Sequence, residues 1–521
     1  GALTTDEVVA LTSAQVGALG SAQTAGLTTD QVPRIETDDL RALSSAALSK
    51  FSTDQMAALT SDQIAALTSG QIGSLPTTPQ NLLANLSTDE IRALTTAQVA
   101  ALNSAQIRGF STDQLKAFET DDLRAINTAA LRNLTTDQLA ALTSDQFEAM
   151  TTLQVANLTT AQIRGLASDD LNAFTTEQFR AMNSAQAGAI GTDQIKTLTT
   201  DDLAALSTGA IKGLNSAQLG ALTTDEIVAL STAQFNALTS AQTGKLGTDQ
   251  IAVIESDDLR ALNSASLRAF NTEQLGALGS DQIAALTSAQ VNALTSQQLR
   301  GLSSDDLNAF TTEQFRLMSS TQVGAIGTDQ IKTLTTDDLA AISTAGIKGL
   351  SSAQLGALTT DEVVALGTQQ VAALGSAQTA GLTTDQIANL ETDDLRALST
   401  ASLSKFNSDQ LSALTSDQIS ALTAAQIGAL PTTPQNLLAN LTTDEIRALT
   451  TAQVAAINSS QIRGFSTDQV KAFETDDLRA INTAALRNLT TDQLAALTSD
   501  QFEAMTTLQV ANLTTAQIRG L

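Results

Sequence analysis

Leu, or an apolar residue standing in for it, recurs at every eighth position of this chain: Leu3, Leu11, Leu19, Leu27, Ile35, Leu43, Phe51, Leu59 and Leu67. A second apolar row follows five residues behind, at Val8, Val16, Val32, Leu40, Leu48, Met56, Ile64 and Ile72, with Thr24 as its polar exception. Read from Ala2, the chain falls into octads such as ALTTDEVV, ALTSAQVG, RIETDDLR and ALTSDQIA, with Ala, Leu, Thr/Ser, Thr/Ser, Asp/Ala, Gln, Ile/Leu/Val and a variable residue in turn. A fixed period this short, carried through the whole sequence, marks a repeat architecture rather than a single packed core.

The octad dictates a turn in every unit. At about 100° per residue a continuous helix would rotate its apolar stripe by roughly 80° per octad. A straight strand would send positions two and seven to opposite faces, because they are five apart. The polar positions say where the chain turns. Position three is Thr, Ser, Asn or Gly in most units, as in Thr4, Thr12, Gly20, Asn103 and Asn127, which is the preference of a helix N-cap. Gln or Glu follows three residues later, as in Thr4/Glu7, Thr60/Gln63 and Ser111/Gln114, and completes a capping box. Leu at position two and the aliphatic residue at position seven then form a hydrophobic staple. Asp at position five, such as Asp6, Asp54 or Asp62, sits where the helix dipole favours an anion.

These signals predict an all-α solenoid of helices about one and a half turns long, one per octad. Helices this short need contacts between successive coils, since isolated helices under about 12 residues are marginal. A β-solenoid is the competing fold; the abundance of Ala, Leu and Gln favours helix. Position four is also nearly always Thr or Ser, and its hydroxyl either is the true cap or bonds a neighbouring coil.

One insertion of three residues breaks the register, in Pro76–Leu86, and its string PTTPQNLLANL returns at Pro431. The expected organisation is therefore solenoid over 1–75, a Pro-containing insertion at 76–86, solenoid over 87–430, the second insertion at 431–441 and solenoid over 442–521. Within the insertion Thr78 is expected to cap a helix with Pro79 at its first position, where a missing N–H costs nothing. Larger copies overlie the octads: the sequence from Gly1 reappears from Gly356, and Gly165–Leu171 closely matches Gly301–Leu307. Neither end carries an atypical capping unit, so a longer natural chain, or ends covered by other copies, is expected.

Composition narrows the function. Aromatics are 3% of the chain and all are Phe, with no Cys, His, Trp or Tyr; such a set suits a thin core repeated many times. Asp plus Glu number 54 against 27 Lys plus Arg, a net charge of -27, which disfavours nucleic acid and anionic membranes. No run approaches the roughly 18 apolar residues of a membrane span. Without His or Cys, and with each Ser, Asp and Lys in a context that recurs many times, no catalytic, cofactor-binding or metal-ligating residue is expected and no cofactor is implied. The acid pairs Asp38-Asp39, Asp121-Asp122, Asp169-Asp170, Asp201-Asp202 and Asp257-Asp258 read as first-turn dipole partners, often three residues ahead of an Arg; weak surface Ca²⁺ binding is the alternative.

The run ALTTDEVVALTSAQVGAL resembles the LTTxQ(I/V)xAL tandem repeats of very large predicted secreted or surface proteins of Gram-negative bacteria. That resemblance implies an extracellular or cell-surface setting and supplies no site residues. The expected function is structural, not enzymatic: an extracellular filament or matrix fibre that self-associates end to end or laterally, with no nucleic acid, membrane insertion or small-molecule substrate. The alternative is a stalk or ligand-binding region of a giant adhesin, with Ca²⁺ as an optional partner.

Overall fold

The computed structural model describes residues 3–433 and 436–521. Among them lie 61 α-helices of four to six residues, three 3-10 helices and no strand. The all-α solenoid is therefore the fold, and the β-solenoid is not. The chain divides into two units, Gly1–Ala269 and Phe270–Leu521, and the same construction holds within each.

Octads begin as their polar residues require. Thr60 has extended backbone (φ -79°, ψ 160°) and its hydroxyl accepts from the Gln63 N–H, while the Gln63 side chain accepts from the Thr60 N–H. The helix Ser61–Ala66 follows and ends at Leu67, which returns to extended backbone. Position three is thus the cap. Position four is the first helical residue, and its hydroxyl reaches the next coil: Ser21 Oγ donates to Ala46 O at 3.2 Å, Ser104 Oγ to Ala129 O at 3.2 Å and Ser459 Oγ to Ala484 O at 2.9 Å.

Each helix packs on the helix three octads away, as Thr96–Ala100 on Thr120–Ala125 and Thr451–Ala456 on Thr475–Ala480. One coil is therefore three octads, or 24 residues. Positions two and seven line its interior: Leu59, Ile64, Leu67 and Ile72 are all at most 3% exposed, and the largest fully buried side chains include Phe147, Phe179, Phe235 and Phe315. Burying such a side chain contributes about 1.5–3 kcal/mol, and the repetition of that gain coil upon coil offsets the cost of nucleating so many short helices. The polar exception, Thr24, is fully buried, and its hydroxyl donates to Ala47 O in the next coil at 2.9 Å.

Coils approach most closely where glycine stands at position one. The helix Thr208–Gly213 closes in this way on Ser184–Ala187 below it. The approach is so close that a Cβ on Gly213 would lie 1.9 Å from the Ser184 carbonyl oxygen. No described residue has a positive φ, so this glycine is required by proximity rather than by backbone conformation.

The insertion departs from expectation in one respect. Thr78 caps no helix; the Thr78-Pro79 peptide is cis and 76–81 is irregular. The helical turn comes later, as the 3-10 helix Leu82–Asn85 with Asn81 at its cap. The reason lies in the seam: Leu75, Leu82 and Leu83 are buried, at 4% exposure or less, so the extra residues must bulge outward between them. In the second copy the equivalent 3-10 helix is Leu437–Asn440; Pro434, the equivalent of Pro79, lies outside the described residues.

Candidate functional site

The recurring chemistry of the chain is at position six. Gln63 is 2% exposed. Its Oε1 accepts from the Thr60 N–H at 2.9 Å, and its Nε2 donates to Val32 O at 2.9 Å and Ile35 O at 2.7 Å, 31 and 28 residues earlier. The side chain thus closes its own cap and ties its coil to the previous one. Leaving any of these buried groups unpaired costs roughly 1–3 kcal/mol, which explains why Gln is the commonest residue there.

The carbonyl that receives the Gln and the N–H that the next Gln accepts belong to one peptide group, so the bonds run on from coil to coil. Gln186 Nε2 donates to Leu158 O at 2.8 Å, and the same peptide's Thr159 N–H donates to Gln162 Oε1 at 2.8 Å. Gln162 continues to Leu134 O (3.1 Å) and Thr135 N–H to Gln138 (2.9 Å). Gln138 continues to Phe110 O (2.7 Å) and Ser111 N–H to Gln114 (2.8 Å). Gln114 reaches Leu86 O at 2.6 Å, and the ladder ends where Ser87 N–H meets Glu90 Oε2 at 2.6 Å. Every amide in the row points the same way, donors toward the start of the chain, so the bonds polarise one another.

Glu stands at position six in Glu7, Glu90, Glu226, Glu362 and Glu445, and each closes such a ladder at its donor end. The N–H groups of Thr4, Thr223, Thr359 and Thr442 meet these carboxylates at 2.7, 2.6, 2.5 and 2.7 Å. A carboxylate there faces the positive end of the aligned dipoles, as an acid does at a helix N-terminus.

The acid pairs divide their labour. Asp38 is exposed and pairs with Arg41 at 4.0 Å, whereas Asp39 is 5% exposed and accepts from Ser13 Oγ in the previous coil at 2.7 Å. Asp121 pairs with Arg124 at 3.4 Å, and Asp122 accepts from Thr96 Oγ1 at 2.9 Å. The arginines also reach across coils: Arg41 Nε donates to Ala66 O at 2.9 Å and Arg124 Nε to Ala149 O at 2.8 Å. Burial pushes the carboxyls of Asp122, Asp170, Asp202, Asp258, Asp394 and Asp477 above the ordinary value of 3.8, against hydrogen bonds that lower them. Among the described residues no three acids converge.

One of several shallow concavities coincides with the break in the repetition. The bulge of the first insertion overhangs the octad that begins at Lys50 and bounds a half-open cleft of about 370 Å³ lined by Lys50, Ser52, Thr53, Pro76, Thr78 and Pro79, among others. Sequence reasoning finds nothing unlike in this chain as long as it sets each residue against its own octad alone. The signal is a Lys at position one, three octads ahead of a Pro-rich insertion.

The fold and its ladder define a class: tandem-octad α-solenoids held coil to coil by capping glutamines. Fourteen successive matches to the model of the ALTTAQ repeat cover most of the sequence, from residues 1–34 and 32–69 through 251–288 to 438–473 and 470–507. The chain belongs to the ALTTAQ repeat family. No curated protein matches it. Two solved structures described as "Structure of APUM23-GGAGUUGACGG" and "Structure of APUM23-GGAAUUGACGG" align at 12% identity, the first over 94% of this chain and 87% of its own, the second over 99% and 96%. Their TM-scores are 0.13 and 0.12, too low to carry any argument.

Proposed function

We propose that the chain is a non-enzymatic structural element, the body of an extracellular or cell-surface filament that lengthens by association of like coils. The observation that carries this reading is the Gln ladder. It gives most coils the same polar bonds above and below, so the geometry that joins one coil to the next also suits coils of another copy. The charge of -27 favours separation of neighbouring filaments in solution and opposes contact with nucleic acid. Among the described residues no helix is long and apolar enough to cross a membrane.

Negative-stain images of the purified chain test the proposal. Thin threads of uniform width, together with surface labelling of intact cells by an antibody to the repeat, are the expected result. Compact globules, or labelling only after cells are broken, would count against it. A second reading, a ligand-binding stalk, is favoured by the cavity beneath Pro76–Pro79.

A further inference from the structure

We propose that the cavity beneath the first insertion binds a small hydroxylated anion of the uronic acid kind. Three observations converge on it. First, Lys occupies position one only at Lys50, Lys245 and Lys405, and two of these three lie three octads ahead of an insertion, a spacing that places Lys50 directly beneath the first bulge. The helix that follows Lys50, Thr53–Ala57, packs on the 3-10 helix Leu82–Asn85 of the bulge.

Second, the Lys50 ammonium forms no ion pair among the described residues, although the sequence carries twice as many acids as bases. An exposed cation without a partner, at the rim of a cavity in an acidic surface, is a site for an anion brought from outside. Third, the rest of the lining mixes hydroxyls with apolar surface, Phe51 and Leu82 included. Ser52, Thr53 and Thr78 offer hydroxyls, and Pro76 and Pro79 offer flat aliphatic rings. Ser52 Oγ accepts from the Gln55 N–H at 3.1 Å, which leaves its own O–H free to donate. Hydroxyl donors and acceptors around one cation, with C–H faces beside them, match a sugar bearing a carboxylate. The volume of about 370 Å³ lies within the range of roughly 300–1,000 Å³ usual for small-molecule sites.

The two long copies of the sequence retain the residues of this arrangement. Between residues 44–57 and 399–412 they differ at Ser45/Thr400, Ala47/Ser402, Ser52/Asn407, Thr53/Ser408, Met56/Leu411 and Ala57/Ser412. Lys50-Phe51 nevertheless returns as Lys405-Phe406, the changed rim positions keep hydrogen-bonding side chains, and the insertion returns letter for letter.

The experiment is titration of the whole chain with glucuronate and, separately, glucose, at low salt, followed by calorimetry. Glucuronate is expected to bind in the millimolar range and glucose at least tenfold more weakly. Lys50→Gln with Lys405→Gln should lower glucuronate affinity at least tenfold, with an unchanged helical circular dichroism spectrum. Lys245→Gln, at the same octad position away from either insertion, should bind as the parent does. The proposal is overturned if glucuronate does not bind, if glucose binds equally well, if the double variant keeps parental affinity, or if Lys245→Gln loses as much. Filament formation is read independently by microscopy, so failure here leaves the structural proposal standing or falling on its own test.

Discussion

The side-chain amide of Gln98 donates to the carbonyl oxygen of Leu67 at 2.6 Å, across one full coil. The Leu67–Thr68 peptide then passes the polarity on, because its Thr68 N–H donates to Gln71 Oε1 at 2.7 Å. One side chain therefore serves two successive coils, and removing it should be felt by both. Gln98→Ala leaves Leu67 O and the Thr95 N–H without their side-chain partners. At roughly 1–3 kcal/mol per buried orphan, local stability should fall by about 3 kcal/mol. Amide exchange at Thr95 and Thr68 is the suitable readout, because an array of repeats opens locally rather than all at once. Protection should drop about a hundredfold there and little in coils far along the chain; an unaltered exchange pattern would dismiss the ladder as incidental.

Glu226 is 3% exposed, and its Oε1 has no hydrogen-bond partner. At the same position Gln250 uses the corresponding nitrogen to donate to Leu222 O at 2.7 Å and Leu219 O at 2.9 Å, 28 and 31 residues earlier. Glu226→Gln would place a donor against the equivalent carbonyls of Leu198 and Ile195. The change should stabilise the fold around it by about 1–2 kcal/mol, seen as slower exchange in neighbouring coils. Glu90→Gln is the control, since Glu90 is only partly buried; equal gains at both sites would contradict the argument.

Two glycines should respond in opposite directions to the same substitution. A Cβ on Gly213 would collide with the Ser184 carbonyl oxygen, which belongs to backbone and cannot swing aside. Gly213→Ala should therefore destabilise by about 1–3 kcal/mol, the ordinary cost of forced repacking. Gly70, inside the helix Ser69–Ser74, has nothing within 4 Å of the point where a Cβ would stand. Gly70→Ala should stabilise by about 0.5–1 kcal/mol through helix propensity. Urea unfolding of both variants checks the pair, and a stable Gly213→Ala would mean that the coils can separate freely.

How far the fold can be read in advance follows from the same residues. The octad, the cap at Thr60 and its partner Gln63 are legible because they act within one octad. The coil of three octads is not, since nothing inside an octad says which other octad lies against it. Two pairings hold that information across the chain: Thr24 with Ala47, and Asp39 with Ser13. Each couples an exception in one octad to its neighbour in an adjacent coil. The insertion misleads at Thr78 because the Pro at 79 suits a helix start, while the demand of Leu82 and Leu83 for the seam decides where the turn forms. The acid pairs do stand in the first turn, as their spacing predicts, yet the burial of their second member depends on a coil that a single octad does not reveal.

That burial sets the response to pH. Desolvation raises the Asp122 carboxyl above 3.8, and the same cause acts on Asp170, Asp202, Asp258, Asp394 and Asp477. A folded-state value above the unfolded one means that the folded chain holds these protons more tightly. Stability then falls as pH rises through the window that begins at 3.8 and ends at each raised value, and it recovers as pH is lowered through the same window. The groups shifted the other way, Glu7, Asp329 and Glu445, are held down by hydrogen bonds near the surface and oppose this trend only weakly. Urea midpoints should accordingly rise as pH is lowered from 7 toward 3.8. Asp122→Asn keeps an acceptor for Thr96 Oγ1 while removing the charge, so it should raise the midpoint at pH 7 and reduce the gain on acidification. A midpoint that declines steadily from pH 7 to 3.8 in the parent chain would show that these carboxyls do not govern its stability.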